Sequence, residues 1–306
     1  MYWFIYFLIS LVAAPLLVGI INKVKAFFAG RKGPRLLQLY FDIFKLLKKD
    51  RILSNTSTII MEICPIVNLT AVVVASALMP IAGYPSPLGF EGDIILFFYL
   101  FGLGRIATIF AALDTGSAFE GMGASREAQF SAIVELVIFT IITFLALIST
   151  GGFSLDLLLD VSITNTGVGL AITPLLLITL AFLIVLLCEN CRVPFDDPET
   201  HLELTMIHEA MILDNAGPDL AIIHYAAALK LWTMSGFLVM LILPKLIING
   251  FVTVCCYIIG IIVIGAFIGV VESILARARF VKIPQLILSA FTIALIAILL
   301  HSIFRY

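Results

Sequence analysis

Residues 129–149 read QFSAIVELVIFTIITFLALIS, an apolar run interrupted by one ionisable side chain, Glu135. A helix rises about 1.5 Å per residue and the hydrocarbon layer of a bilayer is about 30 Å thick, so about 20 such residues cross it. Working outward, further runs of this character lie at 3–21, 59–82, 94–113, 168–188, 221–243, 251–271 and 285–304. Of the 306 residues 62% are hydrophobic and 12% are charged, against about 45–50% and about 25% in a soluble globular domain. Mean hydropathy is +1.16. That surplus has no place in water, which excludes an ordinary soluble enzyme. Backbone groups in lipid must pair within their own segment, and the runs are too long and continuous for barrel strands. The expected fold is therefore all-α and polytopic, about eight transmembrane helices forming a single membrane domain over 1–306. No internal repeat and no appended soluble domain is visible. The first run lacks a basic start and a small-residue cleavage site, so it reads as a span and not as a cleavable signal.

A net charge of −2 conceals an uneven distribution. Nine of the 18 Lys and Arg lie between Lys23 and Arg51, and Arg126, Arg192, Arg277, Arg279 and Lys282 fall in loops on the same side. Only Lys245 and Arg305 lie on the other. Short loops rich in Lys and Arg stay inside the cell. Loops 23–58, 114–128, 189–220 and 272–284 are thus expected in the cytoplasm, with both termini outside. Five cysteines form no disulfide framework, and nothing in the charge pattern suggests a nucleic-acid partner.

Polar chemistry is concentrated in three segments. The first, RKGPRLLQLYFDIFKLLKKD (31–50), places Leu36, Leu37, Tyr40, Phe41, Phe44 and Leu47 at helical spacing, with Asp42, Lys45, Lys48 and Lys49 elsewhere on the wheel. Pro34 suits a first helical turn and Gly33 the turn before it. An amphipathic helix lying on the bilayer follows; it serves either as an anchor on anionic lipid or as a docking surface and the lip of a lateral opening. The second, LDTGSAFEGMGASRE (113–127), gathers Asp114, Glu120, Arg126 and Glu127 among Gly116, Ser117, Gly121 and Gly123, and reads as a tight turn beside titratable groups. Glu135 follows eight residues later and is expected on the face of Glu127, well inside the hydrocarbon layer. A charge there costs about 2.5–3.5 kcal/mol on insertion scales, which marks a functional candidate unless the group is a protonated, merely hydrogen-bonded acid. Arg105, Lys230, His224 and Glu62 are the other polar residues within or near spans. Pairing with Glu135 or with one another would offset their desolvation, as in a proton relay or a static helix clamp.

The third segment, ENCRVPFDDPETHLELTMIHEAMILDNAGPD (189–219), holds eight of the 20 acidic residues against one basic residue, Arg192. Asp197, Pro198 and Glu199 read as a helix start, after which His201 and His208 share a face. Such carboxylates and imidazoles can relay protons, or they can form a solvated docking loop. Metal motifs fail: His208 and Glu209 open a zinc-protease pattern whose second histidine is replaced by Ile212. Cys188 and Cys191 supply half of a metal's ligands. Neither a metal site nor a cofactor is expected in this chain.

The three segments together, in this order, resemble the cytoplasmic signatures of the subunit-one family of respiratory complex I. The form of THLELTMIHEAMILD (200–214) is most similar to the membrane subunits of group 4 nickel-iron hydrogenases, of the hydrogenase-4 and formate hydrogenlyase type. The resemblance implies a multi-pass protein of a prokaryotic plasma membrane that anchors a nickel-iron large subunit and an iron-sulfur small subunit. These partners would carry the nickel-iron centre and 4Fe-4S clusters, and antiporter-like membrane subunits would adjoin. It also implies residue roles. Glu135, Glu120, Glu127, Asp114 and Arg126 would form the mouth and first steps of a polar channel, to which Arg105 and Lys230 are added by their intramembrane positions. Glu189, Asp196, Asp197, Glu203, Glu209 and Asp214 would face the cluster-bearing subunit. Arg31, Lys32, Gly33, Pro34 and Arg35, with Asp196, Asp197, His201 and His208, would dock partners. In complex I this region borders the quinone chamber; in the hydrogenase relatives a bound quinone is not expected. The chain departs from the family at Leu136, where relatives often carry proline, and at Cys191, where many carry glycine.

The leading expectation is a non-catalytic coupling subunit linking hydrogen chemistry to proton or sodium movement. The alternatives are the equivalent subunit of a quinone or sulfane-sulfur reductase, an independent secondary transporter, and a purely structural anchor. Against a transporter stands the missing inverted repeat.

Overall fold

The apolar runs become helices because lipid leaves a backbone no partner but itself. The computed structural model describes residues 2–54, 56–81, 84–149, 152–159, 172–196, 206–242 and 250–304. Its helices are α1 Tyr2–Phe28, α2 Gln38–Leu47, α3 Ile59–Leu78, α4 Asp93–Asp114, α5 Ala118–Ile148, α6 Leu155–Leu159, α7 Ile172–Glu189, α8 His208–Met211, α9 Pro218–Ile242, α10 Gly250–Ile274 and α11 Ile283–Phe304. Helices α1, α3, α4, α5, α9, α10 and α11 are long and apolar enough to cross a bilayer, and α7 is a shorter apolar helix. No strand occurs among the described residues. The protein is a polytopic, all-α membrane protein.

Helix α9 is the hub. The apolar stretch of α9 is 78% buried, more than that of any other spanning helix, and α9 packs against α1, α2, α3, α7 and α10. Aromatic contacts hold it to its neighbours: the Phe237 ring lies 4.6 Å from Phe182 of α7 and 5.4 Å from Phe98 of α4, between centroids. Edge and offset ring pairs of this kind add to what area burial alone supplies. Trp232 donates its indole N–H to the Tyr6 hydroxyl of α1 at 3.2 Å.

Three boundaries differ from the sequence expectation. Helix α1 runs on to Phe28, so Lys23 and Lys25 are helical; Lys25 reaches Glu272 of α10 at 3.2 Å. Helix α5 begins at Ala118, which makes Gly121 and Gly123 helical and leaves a short turn before them. Gly123 is small for packing: a Cβ there would stand 2.9 Å from the Ile207 carbonyl oxygen and 3.0 Å from the Ala210 Cβ of α8. Helix α2 begins only at Gln38, so Pro34 precedes it in non-helical chain. Gly33 has φ +58°, which favours glycine, and lies against Ala26 of α1. The early part of the span expected at 168–188, the helix start at Asp197, and Lys245 and Arg305 lie outside the described residues.

The elbow between α1 and α2 closes on Gly19, where a side chain would run into the Leu36 carbonyl. Backbone cannot yield as a flexible side chain does, and overpacking of this sort costs about 1–3 kcal/mol. Gly19→Ala is expected to lower the thermal midpoint of the detergent-solubilised protein, whereas Gly121→Ala, whose Cβ meets nothing within 4 Å, leaves it unchanged or raises it.

Candidate functional site: a buried charge network

Lys230 sits on the hub helix, where its ammonium has to be neutralised from inside the fold. Its Nζ donates to the Glu189 Oε2 at 2.7 Å and to the Glu189 carbonyl oxygen at 2.8 Å. Glu189 is the last residue of α7, and a helix C-terminus itself favours cations. On the other side Arg105 of α4 donates from Nη2 to Glu189 Oε1 at 2.6 Å, and its Nε lies 3.8 Å from Glu127 Oε1 on α5. Side-chain exposure is 3% for Glu189 and 8% for Arg105. Helices α4, α5, α7 and α9 thus each contribute one charge to a single chain of ion pairs.

This network forms the polar end of a cavity of about 250 Å³. Asp196, His208, Glu209, His224 and Asn68 also line it, and Val18 and Asn22 of α1, Leu39 of α2, Val72 of α3 and Ile223 of α9 line it towards the α1–α2 elbow. The cavity therefore extends from the α7–α8 region to the α1–α2 elbow.

The segment after α7 is strapped across the cavity. Asp196 pairs with Arg277 at 2.7 Å and accepts the backbone N–H groups of Ile207 and His208 at 3.1 and 3.2 Å. Arg192 lies 3.5 Å from Glu272, the carboxylate that also holds Lys25, and the Ala278 N–H bonds the Pro194 carbonyl at 2.9 Å. Cys191 has φ +50°, a left-handed conformation that costs a residue with a Cβ about 1–2 kcal/mol. Burial pushes the Cys191 thiol well above its ordinary value, so it is a neutral thiol and not a reactive thiolate. Cys188 and Cys191 are both free. Among the described residues no three His, Cys, Asp or Glu side chains stand together as a metal site.

The structure distributes the remaining candidates differently. Asp114 caps α3, accepting from the Thr58 N–H at 2.6 Å and the Thr58 hydroxyl at 2.7 Å. Glu120 is wholly buried and accepts from the Thr115 hydroxyl and from the Asp214 N–H, the latter at 2.9 Å. Arg126 donates to the Met206 carbonyl at 3.1 Å, with its guanidinium 4.7 Å from the Phe280 ring centroid. Asp214 is exposed, as are Arg31, Lys32, Gly33, Pro34 and Arg35 in the α1–α2 connection. Glu62 pairs with Arg51, which also holds Asp219 at the start of α9. Asp197, His201 and Glu203 lie outside the described residues. Glu135 does not share the face of Glu127: eight residues at 3.6 per turn leave it about 80° further round the helix. Glu127 consequently faces the interior network, while Glu135 is exposed in a groove between α4 and α5 whose wall includes Arg105. Sequence reasoning missed Glu272. Its signal was available, because it is the one acidic residue after Asp219.

Two outcomes test this description. Arg105→Met leaves two carboxylates facing one lysine and is expected to cost about 3–5 kcal/mol of stability. The cost of Arg105→Met with Glu189→Gln should fall short of the sum of the single costs by about 0.5–3 kcal/mol. The second outcome concerns pH. Burial lowers the His208 pKa against the opposing pull of Glu209 and Asp196, with Lys230 and His224 nearby. The folded imidazole thus resists protonation while the unfolded one takes up a proton near its ordinary value of about 6.5. Stability should fall as pH drops below that value, and His208→Gln should flatten the slope in thermal melts of the solubilised protein.

With this geometry described, comparison with known proteins gives consistent matches. The chain is 29% identical over 295 residues to hydrogenase-4 component C of Escherichia coli (strain K12), covering 94% of this chain and 91% of that protein. It is 27% identical over 300 residues to formate hydrogenlyase subunit 4 of the same organism, covering 95% and 94%. A chain of the membrane-bound sulfane sulfur reductase, an archaeal respiratory membrane complex, superposes with a TM-score of 0.81 over 98% of this chain and 99% of that one. At 22% identity that match speaks to the fold alone. The profile of the family described as NADH dehydrogenase matches residues 1–302, and the chain belongs to that family.

Proposed function

We propose that this chain is the membrane anchor and coupling subunit of an energy-converting complex of the group 4 nickel-iron hydrogenase type. In this reading, electron transfer and hydrogen chemistry take place in cytoplasmic partners: a nickel-iron large subunit, and an iron-sulfur small subunit with 4Fe-4S clusters. The chain passes their effect to antiporter-like membrane subunits that move protons or sodium ions, and catalyses nothing itself. The loops 23–58, 114–128, 189–220 and 272–284 face the cytoplasm and both termini lie outside, following the bias in Lys and Arg.

The observation that carries the reading is the ion-pair chain from Lys230 through Glu189 and Arg105 to Glu127, set beside a cavity that the strapped 189–196 segment covers. A partner pressing on that segment acts on Asp196 and Arg192 within a few residues of Glu189. Shifting Glu189 relative to its two cations changes how strongly its charge is held, and therefore the readiness of Glu127 and Glu189 to exchange protons. Likeness to the two hydrogenase-type proteins over nearly the whole chain favours hydrogen chemistry in the partners. The matching fold of the sulfane sulfur reductase chain supports a second reading, with the same coupling and a different electron acceptor.

The test is the composition of the complex purified gently from its own membranes, followed by assay of a Glu189→Gln variant. The expected partners are a large subunit with nickel-binding cysteines, an iron-sulfur subunit and antiporter-like chains. Glu189→Gln leaves Lys230 and Arg105 short of an anion and is expected to lower stability; in the fraction that assembles, electron transfer is expected to stay in place while ion pumping is lost. A variant that still pumps would reduce this chain to an anchor, and a large subunit lacking the nickel cysteines would favour the second reading.

A further inference from the structure

Helix α7 ends in a turn that holds one residue against its backbone preference. The Arg192 N–H bonds the Leu187 carbonyl at 2.9 Å and the Cys191 N–H bonds the Cys188 carbonyl at 3.1 Å, the paired bonds of a Schellman cap. Such a cap needs a left-handed residue, which glycine supplies without strain. Here that residue is Cys191, with φ +50°. Backbone strain of this kind collects at functional positions. The other thiol of the turn is Cys188, and both cysteines are free. A turn brings its first and fourth Cα atoms within about 7 Å, and a disulfide spans about 4.4–6.8 Å between Cα atoms. Cys188 and Cys191 also line one small cavity of about 10 Å³, room for about one water molecule. Cys191 borders the larger cavity as well, so a water-sized solute meets it first.

Between the two thiols lie Glu189 and Asn190. Lys230 holds Glu189 by its carboxylate and by its main-chain carbonyl, and that carbonyl belongs to the ring that a disulfide would close. We infer that Cys188 and Cys191 are an oxidation-sensitive pair, and that a disulfide between them displaces Glu189 from Lys230 and Arg105 and uncouples ion movement from electron transfer. The oxidant is hydrogen peroxide. The Cys191 sulfur attacks one peroxide oxygen, the O–O bond breaks, and a sulfenic acid and one water result. The Cys188 sulfur then attacks the sulfenyl sulfur; the S–S bond forms, and the hydroxyl leaves as a second water with the Cys188 thiol proton. Two thiols thus give up two electrons and two protons, and the peroxide is reduced to two waters. Burial keeps the Cys191 thiol neutral, so the reaction is slow and answers sustained oxidant. The inference rests on the proposed function in placing Glu189 on the coupling path, and it adds a control on that path.

The test uses the whole complex in sealed membrane vesicles, exposed to hydrogen peroxide that is then destroyed with catalase. Thiols still free are alkylated, and peptide masses show which cysteines have paired. The expected result is a Cys188–Cys191 disulfide. Ions pumped per electron transferred should fall several-fold and recover after dithiothreitol; the ratio is insensitive to oxidant damage that merely slows electron transfer. Cys191→Gly suits the left-handed turn and removes one thiol, and it should keep its ratio through the same exposure. Cysteines 188 and 191 that stay open to alkylation, a disulfide that leaves the ratio unchanged, or an equal fall in Cys191→Gly each overturn the inference and leave the proposed function standing. A complex that pumps nothing before exposure overturns both.

Discussion

A lysine on the most buried helix is the constraint around which the rest of the structure is arranged. Taking an ammonium out of water costs several kcal/mol unless an anion meets it in good geometry. Lys230 finds that anion in Glu189, but only because α7 ends where α9 passes, so the end point of one helix is set by the charge on another. Glu189 in turn accepts a second cation, Arg105, which reaches Glu127 on α5. Each pair would be costly to leave half made, and each carries a different helix into register. The polar chain and the aromatic contacts of Phe98, Phe182 and Phe237 therefore join the same helices, α4, α7 and α9, by different means.

A second carboxylate organises the neighbouring region. Glu272 of α10 meets Lys25 of α1 and Arg192 just beyond α7, and Arg277, a few residues further on, holds Asp196. The short segment 189–196 is thereby anchored at one end to the interior network and along its length to α10 and its following loop. It touches the cavity, α8 and the α10 connection together. A load applied there is shared between Glu189 and the contacts to α10 and its following loop.

The architecture was legible in the sequence because apolar length is a local property: every spanning helix lies where a run of hydrophobic residues lies. Ends were less legible. Glycine signals both a tight turn and a close packing contact, and at Gly121 and Gly123 the chain continues as helix where composition suggested a loop. Pro34 fits a first helical turn, yet the packing of Gly33 on Ala26 delays α2 to Gln38. The list of charged candidates was sound as a list of residues, but their grouping was not readable. Arg105, Glu127, Glu189 and Lys230 come from four different helices, so only tertiary packing brings them together. Asp114 and Arg126, which share a segment with Glu127, turn instead to Thr58 and to Met206. At Glu135 helical arithmetic itself separates the residue from Glu127, since a rotation of about 80° turns one side chain outward and the other inward.

Arg105 borders the inner cavity and the outer groove alike, so the two are separated there by a single side chain. An electric field crosses a barrier of that thickness, falling off only with distance and local polarisability. The two compartments can then be coupled in the manner of capacitor plates: charge rearranged on one face changes the potential on the other, and no particle has to travel between them.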